Sequence, residues 1–401
     1  MSRVLKGYSI FPWKGRLLGR PMGLKMLSEN CSHLHAKNIN SILLIQLGDI
    51  GDVVLTFPCI RVLRENFPEA NLIVAVRDKA CELIEDCPWA DGVISVNKQK
   101  RGLAKQIAYQ KVFFLSLRKF HFDLTIDMRT GTRGAILAFL SGAHQRIGYH
   151  SMNGKLWRNR IFTHLYLHKF NPLEHVAEYH LNLLAAYGLT TENIWPEIHV
   201  PDERHQNATA LFKQEKIPLD RPAIIIQPFS LWTYKEWGAD KYAHLINWIT
   251  SQYKFPVILT GSPGESKRAS EIMNMCRQGV YDLEGKTSIG TFSAILKRSR
   301  LFIGSDSSGM HISGAVGTPT ITIFGPSSPV SWVPKGKQHL IVQKDLPCVP
   351  CKQKGCQDRG ISLCIEELTV EEVRSTVEKQ LEAFHSFGKG TSSGEHINRM
   401  K

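Results

Sequence analysis

Residues 41–52 read Ser-Ile-Leu-Leu-Ile-Gln-Leu-Gly-Asp-Ile-Gly-Asp, a short apolar run followed at once by a turn that contains two glycines. The run is far shorter than the roughly 18 residues that a membrane-spanning helix needs, and it has the length of one buried strand. Beyond it, Val53, Phe57 and Ile60 recur at helical spacing, although Pro58 argues against one unbroken helix. This strand, turn and helix predict the first unit of a parallel α/β sheet.

The same alternation of strands and helices continues along the chain and then begins again. A helix-rich passage over 173–189 leads into a polar, proline-containing stretch over 195–222, where we predict a domain boundary. Helices are also predicted over 240–251 and 266–277. Two similar α/β domains in series imply a cleft between them. The predicted strands are 41–47, 71–76, 92–96, 123–127 and 145–148 in the first domain, and 223–227, 255–260, 280–283, 301–304 and 318–324 in the second.

The net charge of the 401-residue chain is +14, from 50 Lys and Arg against 36 Asp and Glu, and this excess is local. Residues 1–39 contribute +6 and residues 98–120 contribute +7. A nucleic acid, an anionic membrane surface or ordinary solvated faces would each explain such runs. The basic runs contain no helix-turn-helix or RNP signature, which argues against a nucleic-acid partner.

The nine cysteines are too few for a disulfide scaffold and fit a reducing compartment, and no secretory signal core follows the first residues, so we expect a cytoplasmic protein. Four of them lie close together, as Cys348-x2-Cys351-x4-Cys356-x7-Cys364. Four thiolates can complete a tetrahedron around zinc, but this uneven spacing lacks the paired C-x2-C form. Reduced loop cysteines are therefore favoured over a metal site, and the predicted site contains no metal.

The turn Gly48–Asp52 is the first candidate for chemistry. In an open α/β sheet, such a turn lies at the carboxyl edge, where ligands bind, and glycines let the backbone approach a ligand closely. It is not a Gly-x-Gly-x-x-Gly fingerprint, which makes a dinucleotide site unlikely here. Asp52 could be a general base that faces the cleft, or it could cap the helix that follows.

Polar residues also follow two strands of the second domain. Ser230 and Lys235 lie on the loop after its first strand, where a hydroxyl and a compact positive charge can hold phosphate. Alternatively, Lys235 and the adjacent Glu236 form an ordinary surface pair. Glu265 follows another strand and could accept hydrogen bonds from ribose hydroxyls, or simply stabilise a helix N-terminus.

The segment Gly304-Ser-Asp-Ser-Ser-Gly-Met-His311 follows a further strand. Small residues at the start of a helix leave backbone N–H groups unpaired, which creates an anion site suited to a pyrophosphate. Asp306 would repel a pyrophosphate, so we expect it to cap the helix or to hold Lys235. His311, on the first turn, could donate to a phosphate or be a packed helix residue.

Together, these segments resemble glycosyltransferase family 9, the lipopolysaccharide heptosyltransferases. The resemblance covers about residues 40–375 and implies a GT-B fold, with two Rossmann-like doubly wound domains facing across a cleft. Residues 40–195 would bind the acceptor, and residues 196–386, which end in a helix, would bind the nucleotide-sugar. A basic extension (1–39) and a flexible tail (387–401) would flank them. The matching pieces are 48–58, 127–133, 146–148, 230–237, 261–265 and 305–326.

The resemblance further implies inverting, metal-independent transfer of a heptose from ADP-heptose to a Kdo or heptose hydroxyl of the lipopolysaccharide inner core, with no cofactor. A GT-B transferase that uses another nucleotide-sugar is the alternative. In the implied site, Asp52 is the catalytic base. The acceptor-side candidates are Gly51, Arg129 and Arg133, and the donor-binding residues are Ser230, Lys235, Glu265, Asp306, Ser307, Ser308, Gly309 and His311.

The basic run 98–120 suggests where a lipid-linked acceptor would be met. Its residues Leu103, Ile107, Phe114 and Leu117 fall on one helical face with basic residues around it. We expect this face to dock the protein peripherally on the inner leaflet of the cytoplasmic membrane. A solvated face is the alternative.

Overall fold

The computed structural model describes residues 39–96, 113–152, 156–169 and 171–389, with side chains up to Ala383. The predicted basic extension lies outside these residues except for its last position, and so does most of the basic run 98–120. Among the described helices, none is both long enough and apolar enough to cross a membrane.

The first domain contains a sheet of six parallel strands in the order β3-β2-β1-β4-β5-β6. Its strands are β1 (Ser41–Gln46), β2 (Asn71–Val76), β3 (Gly92–Ser95), β4 (Leu124–Asp127), β5 (Gln145–Tyr149) and β6 (His164–Tyr166). Its helices are α1 (Ile50–Val54), α2 (Phe57–Asn66), α3 (Cys81–Glu85), α4 (Thr132–Leu140), α5 (Leu156–Ile161) and α6 (Val176–Ala185), and residues 113–118 are also helical.

The second domain repeats this topology, with the strand order β12-β11-β10-β7-β8-β9. Its strands are β7 (Ile224–Gln227), β8 (Val257–Leu259), β9 (Val280–Asp282), β10 (Leu301–Ser305), β11 (Thr320–Phe324) and β12 (His339–Gln343). Its helices are α7 (Asp202–Gln214), α8 (Ala239–Gln252), α9 (Ser266–Met275), α10 (Ile289–Lys297), α11 (Ser308–Ala315), α12 (Pro329–Trp332), α13 (Leu363–Glu366) and α14 (Val370–Lys389).

The predicted doubly wound fold is confirmed, and each predicted strand is present. The sequence did not predict β6 and β12, which are edge strands paired on one side only. Edge strands need less apolar sequence than central ones, so their pattern is weak. Helix α6 is shorter than the predicted 173–189, and α14 continues to Lys389, past the predicted start of the tail at 387.

Pro58 breaks the helix that follows β1, as its position in the sequence predicts. Helix α1 ends at Val54 and α2 begins at Phe57, so that Pro58 lies in a first turn, where its missing N–H costs nothing. Thr56 stabilises the break, because its hydroxyl donates to the Asp52 carbonyl and accepts from Gln46, both at 2.8 Å. The break leaves α1 as a short helix that begins directly at the end of β1.

The strand order reverses at one place in each sheet, between β1 and β4 and between β7 and β10. In doubly wound sheets, a crevice opens at such a reversal, beyond the carboxyl ends of the strands. The segments that directly follow these four strands hold most of the predicted site residues. They are 48–52, 128–131, 228–235 and 306–307.

The two domains pack directly against each other around these loops. Helix α1 of the first domain contacts α11 of the second, and one buried apolar cluster continues across both domains. Farther from the loops, Arg204 at the start of α7 binds Asp86 of the first domain at 2.9 Å, and the Gly290 N–H donates to Glu82 at 2.7 Å. These contacts fix the relative position of the two crevices.

The end of the basic run 98–120 has a different environment from the predicted one. Leu117 is 1% exposed and packs with Leu43 and Ile45 on one face of the first sheet, and Phe114 is half-buried against the same cluster. The prediction that Phe114 and Leu117 face a membrane is therefore wrong, because their apolar face covers the sheet. Leu103 and Ile107 lie outside the described residues.

Candidate active site

Asp52 and Arg129 form an ion pair at the edge of the first sheet that faces the second domain. Arg129 Nη1 lies 2.7 Å from Asp52 Oδ2, and the backbone N–H of Asp49 donates to the same oxygen at 2.9 Å. The carboxylate therefore has both predicted properties, since it caps the start of α1 and lies at the cleft with 20% of its side chain exposed. The two hydrogen bonds fix its orientation.

This ion pair requires a glycine at position 48. A Cβ on Gly48 would lie 2.3 Å from Asp52 Oδ2 and 2.6 Å from Arg129 Nη1, which is closer than atoms can approach. Gly48 is therefore needed because it leaves space for the side chains of Asp52 and Arg129.

Arg158 on α5 is a buried support for the loop that carries Arg129. Its guanidinium donates to the carbonyls of Arg129 at 2.8 Å, Tyr149 at 2.7 Å and Gly131 at 3.4 Å, and it lies 3.5 Å from the Asp127 carboxyl. Arg158 and Asp127 are 0% and 1% exposed. Burial raises the pKa of Asp127 to about 7, while the charge of Arg158 opposes this shift.

The sequence does not single out Arg158, because the carbonyls that it binds lie as many as 29 residues away. Arg133, the other acceptor-side candidate, is half-buried in the first turn of α4 and one turn beyond the Arg129 loop.

In the second domain, Lys235 Nζ lies 2.5 Å from Asp306 Oδ2, with side chains that are 17% and 6% exposed. The prediction that Asp306 holds Lys235 is confirmed. The alternative pairing of Lys235 with its neighbour is wrong, since Glu236 instead binds Arg268 and accepts from the Ser230 N–H at 2.9 Å. Lys235 therefore points towards the start of α11 rather than to bulk solvent.

The start of α11 is packed so tightly that only glycine fits at position 309. A Cβ there would lie 2.0 Å from Gln227 Oε1, which also accepts a hydrogen bond from the Ser307 hydroxyl at 3.1 Å. Ser308, half-buried, begins the helix. The first-turn N–H groups of α11 have no partner within the helix, as at every helix start, and they border the Lys235 and Asp306 pair.

His311 of the second domain lies against the turn of the first domain that carries Asp52. Its ring lies against Gly51, where a Cβ would be 2.8 Å from His311 Cδ2, and it packs edge-on to Trp332. His180 on α6 is also buried, and both of its ring nitrogens lack a hydrogen-bond partner among the described residues. Burial lowers the pKa of His311 and that of His180 to about 4, so that both rings are neutral near pH 7.

Glu265 is the last residue of the helical turn Pro263–Glu265 and caps its start, because its Oε2 accepts from the Ser262 N–H at 2.7 Å. Glu284 is a second carboxyl group at this edge, which the sequence did not single out, and it is 4% exposed. Within the described residues, both of its oxygens lack a hydrogen-bond partner. Burial, with the nearby charges of Glu265 and Asp282, raises the pKa of Glu284 to about 8.

The four clustered cysteines line one pocket of about 270 Å³ in the second domain, apart from the cleft. All four are free thiols, and the Leu363 N–H donates to Cys356 Sγ at 3.3 Å. Burial raises the pKa of Cys364 to about 11, with a contribution from the other three sulfurs. In the described parts of the chain, no group of three or more His, Cys, Asp or Glu side chains is arranged to hold a metal ion.

Comparisons with known proteins agree with this fold. The sequence profile of glycosyltransferase family 9 (heptosyltransferase) matches residues 112–361. Lipopolysaccharide heptosyltransferase 3 of Escherichia coli is 28% identical to this chain over 296 residues, which cover 71% of this chain and 83% of that protein.

Two solved structures are similar over most of the chain. The family 9 glycosyl transferase of Veillonella parvula DSM 2008 has a TM-score of 0.73 at 21% identity and covers 86% of this chain, with 97% of its own length matched. The E. coli ADP-heptose lipopolysaccharide heptosyltransferase II has a TM-score of 0.71 at 18% identity, and the match covers 86% of this chain and 99% of that protein.

The two doubly wound domains around one cleft and the match to this family together define a glycosyltransferase of GT-B fold. In particular, the chain belongs to glycosyltransferase family 9.

We predict that Arg158→Met lowers activity by releasing the loop of Arg129. The substitution removes four hydrogen bonds, to three backbone carbonyls and to Asn159 Oδ1, and leaves the Asp127 carboxyl without its cation, which costs about 3–5 kcal/mol of the free energy of unfolding. The double variant Asp127→Asn/Arg158→Met should recover part of this stability but not the activity, because the loop still lacks its anchor. Urea unfolding and steady-state kinetics measure the two effects, and equal recovery of both would contradict the positioning role.

We also predict a pH dependence of stability that arises from His180 and His311. Below about pH 6.5 the unfolded chain binds protons that these buried rings do not bind until about pH 4. As the pH is lowered from about 6.5 to about 4, the free energy of unfolding should therefore decrease, by up to about 1.4 kcal/mol per pH unit for each ring. In urea titrations, His311→Gln should flatten this fall, whereas His144→Gln, at an exposed histidine, should not.

Proposed function

We propose that this glycosyltransferase transfers a heptose from ADP-heptose to a sugar hydroxyl of the lipopolysaccharide inner core, with inversion at the anomeric carbon. The names of the E. coli relatives support the choice of donor and acceptor. One observation carries the mechanism: the contact between Gly51 and His311 brings the Asp52 carboxylate next to the helix start that Lys235 borders. A base and an anion site thus meet across one cleft.

Asp52 is the proposed general base. Both of its hydrogen bonds fall on Oδ2, so that Oδ1 can take the proton of an acceptor hydroxyl. As that proton leaves, the acceptor oxygen forms a bond to the anomeric carbon on the face opposite the diphosphate. Attack from that face inverts the configuration. Arg129 would hold the carboxylate in place during the transfer.

Lys235 and the first-turn N–H groups of α11 are the proposed stabilisers of the leaving diphosphate. The bond between the anomeric carbon and the diphosphate oxygen breaks with its electron pair, and negative charge grows on that oxygen. A lysine and a helix N-terminus provide positive potential there without a metal ion. Asp306 would orient Lys235, and Ser230, Ser307, Ser308 and His311 would supply further polar contacts.

Glu265 is the proposed contact for the ribose of the donor. It follows β8 at the carboxyl edge of the second sheet, where acidic residues of doubly wound folds bind ribose hydroxyls. On the acceptor side, Arg129 and Arg133 would bind anionic groups of a lipid-linked core oligosaccharide. We place the enzyme in the cytoplasm, peripherally on the inner leaflet, and without a nucleic-acid partner.

We predict that Asp52→Asn lowers kcat by at least about a hundredfold, since general base catalysis contributes roughly 10²–10⁴-fold. Asparagine keeps the shape of the side chain and cannot take a proton, so ADP should bind with unchanged affinity. Single-turnover transfer and calorimetric titration with ADP measure the two effects. Near wild-type turnover in this variant would eliminate Asp52 as the base.

We predict that Lys235→Gln weakens ADP binding by about ten- to a hundredfold, because hydrogen bonds to charged groups are worth about 1.5–3 kcal/mol. Part of this loss should come from the unpaired Asp306, so Lys235→Gln/Asp306→Asn should bind ADP more tightly than the single variant. Lys286→Gln is a matched control, because Lys286 forms an ion pair with Glu215 at 2.8 Å. Equal effects at Lys286 and Lys235 would contradict the phosphate contact.

Substrate identity is tested by supplying ADP-heptose, UDP-sugars and GDP-sugars side by side with core oligosaccharides. Transfer of one heptose, measured by mass spectrometry, is the expected result. Faster transfer from a UDP- or GDP-sugar would support the alternative of another nucleotide-sugar.

A further inference from the structure

Four large apolar side chains are exposed on one side of the first domain. They are Leu115, Ile136, Phe139 and Trp157, with 57%, 41%, 56% and 40% of their surface exposed. Three neighbouring helical segments carry them: residues 113–118, α4 and α5. Contiguous exposed apolar groups on a protein surface usually mark an interaction site.

Two hydrogen bonds place the segments that carry Leu115 and Trp157 at the two ends of α4. At the start of α4, Arg158 donates to the Gly131 carbonyl, which places its neighbour Trp157 there. At the end of α4, Arg118 Nε donates to the Leu140 carbonyl at 3.4 Å, which places Leu115, one turn before Arg118, at that end.

Ile136 and Phe139 lie between the two ends and are one helical turn apart. The opposite face of α4 is buried on the sheet through Ala135, Leu137 and Ala138. We call the exposed set Leu115, Ile136, Phe139 and Trp157 the α4 ridge.

The described segments that form and adjoin the α4 ridge carry more cations than acids. Residues 113–152 and 156–168 contain seven Lys and Arg and two acidic residues. Neither acid is an exposed residue: Asp127 is 1% exposed, and Asp123 is half-buried and accepts from the N–H groups of Asn40 and Ser41. The exposed cations beside the ridge are Arg118, Lys119 and Arg160.

We propose that the α4 ridge docks this protein on an anionic lipid bilayer, with its apolar side chains inserted between headgroups and the surrounding cations bound to lipid phosphates. Apolar groups surrounded by cations, with no exposed acid, are complementary to such a surface. This proposal replaces the amphipathic face predicted over 98–120, of which Leu117 is buried. The role of this docking rests on the proposed function, because the lipid-linked acceptor would be held in the same bilayer.

The position of the α4 ridge agrees with docking near a lipid-linked acceptor. Helix α4 begins three residues after Arg129, which binds Asp52. A bilayer against the ridge would therefore lie on the acceptor side of the cleft, with the donor domain farther away. A sugar attached to a lipid in that bilayer could enter the cleft from the side where Asp52 lies.

Vesicle binding by the full chain tests the proposal directly. The probes are phosphatidylcholine vesicles with and without phosphatidylglycerol, and the test variant is Ile136→Glu/Phe139→Glu. We expect the wild-type protein to prefer the anionic vesicles, the preference to weaken with salt, and the variant to bind at least about tenfold more weakly. The control Leu219→Glu/Met275→Glu changes two side chains of the second domain that are 41% and 44% exposed, and it should bind like the wild type.

Equal wild-type binding to both kinds of vesicle would overturn the proposal, as would wild-type binding by the ridge variant. Thermal unfolding confirms that both variants are folded, since exposed positions tolerate substitution. Activity separates this proposal from the proposed function. The ridge variant should lose transfer to lipid-linked acceptor in vesicles but keep transfer to deacylated core oligosaccharide, whereas a wild-type protein inactive on both would contradict only the proposed function.

Discussion

The contact of His311 with Gly51 is the constraint on which the site depends. The imidazole ring occupies the space where any other residue would have a Cβ, 2.8 Å from His311 Cδ2, so that the two helix starts can approach each other only at a glycine. Helix α1 carries Asp52, the proposed base, and α11 begins at the proposed anion site, so this one contact sets the distance between these two groups. Burial lowers the pKa of the ring to about 4, so that the ring is neutral near pH 7.

The same architecture accounts for the positions of the other polar groups. In both sheets the strand order reverses beside the first strand, and the loops that follow the four central strands meet in one cleft. Two ion pairs at that cleft orient their own members: Arg129 binds Asp52, and Asp306 binds Lys235. Such pairs hold charges in position before any substrate arrives, which is what catalysis by a preorganised electrostatic environment requires.

Sequence patterns predicted most of the fold and much of the site, and they failed where the determining contacts are distant. The turn Gly48–Asp52 and the segment 304–311 were identified because a short run of residues contains both the strand end and the polar group. Arg158 and Glu284 escaped detection, since their significance lies in burial and in partners from other elements. The interpretation of Leu117 failed for a related reason, because an amphipathic pattern does not specify whether its apolar face covers a sheet or a membrane.

The sequence by itself determined the two α/β domains and the family to which the chain belongs. It could do so because strand and helix periodicity, glycine turns and helix starts are local properties of the chain. Only the tertiary structure decided that Lys235 pairs with Asp306 rather than Glu236, that a glycine at position 48 makes room for an ion pair, and that exposed apolar groups gather along α4. These features depend on which distant segments are neighbours in space, and packing of the sheets and helices sets that arrangement.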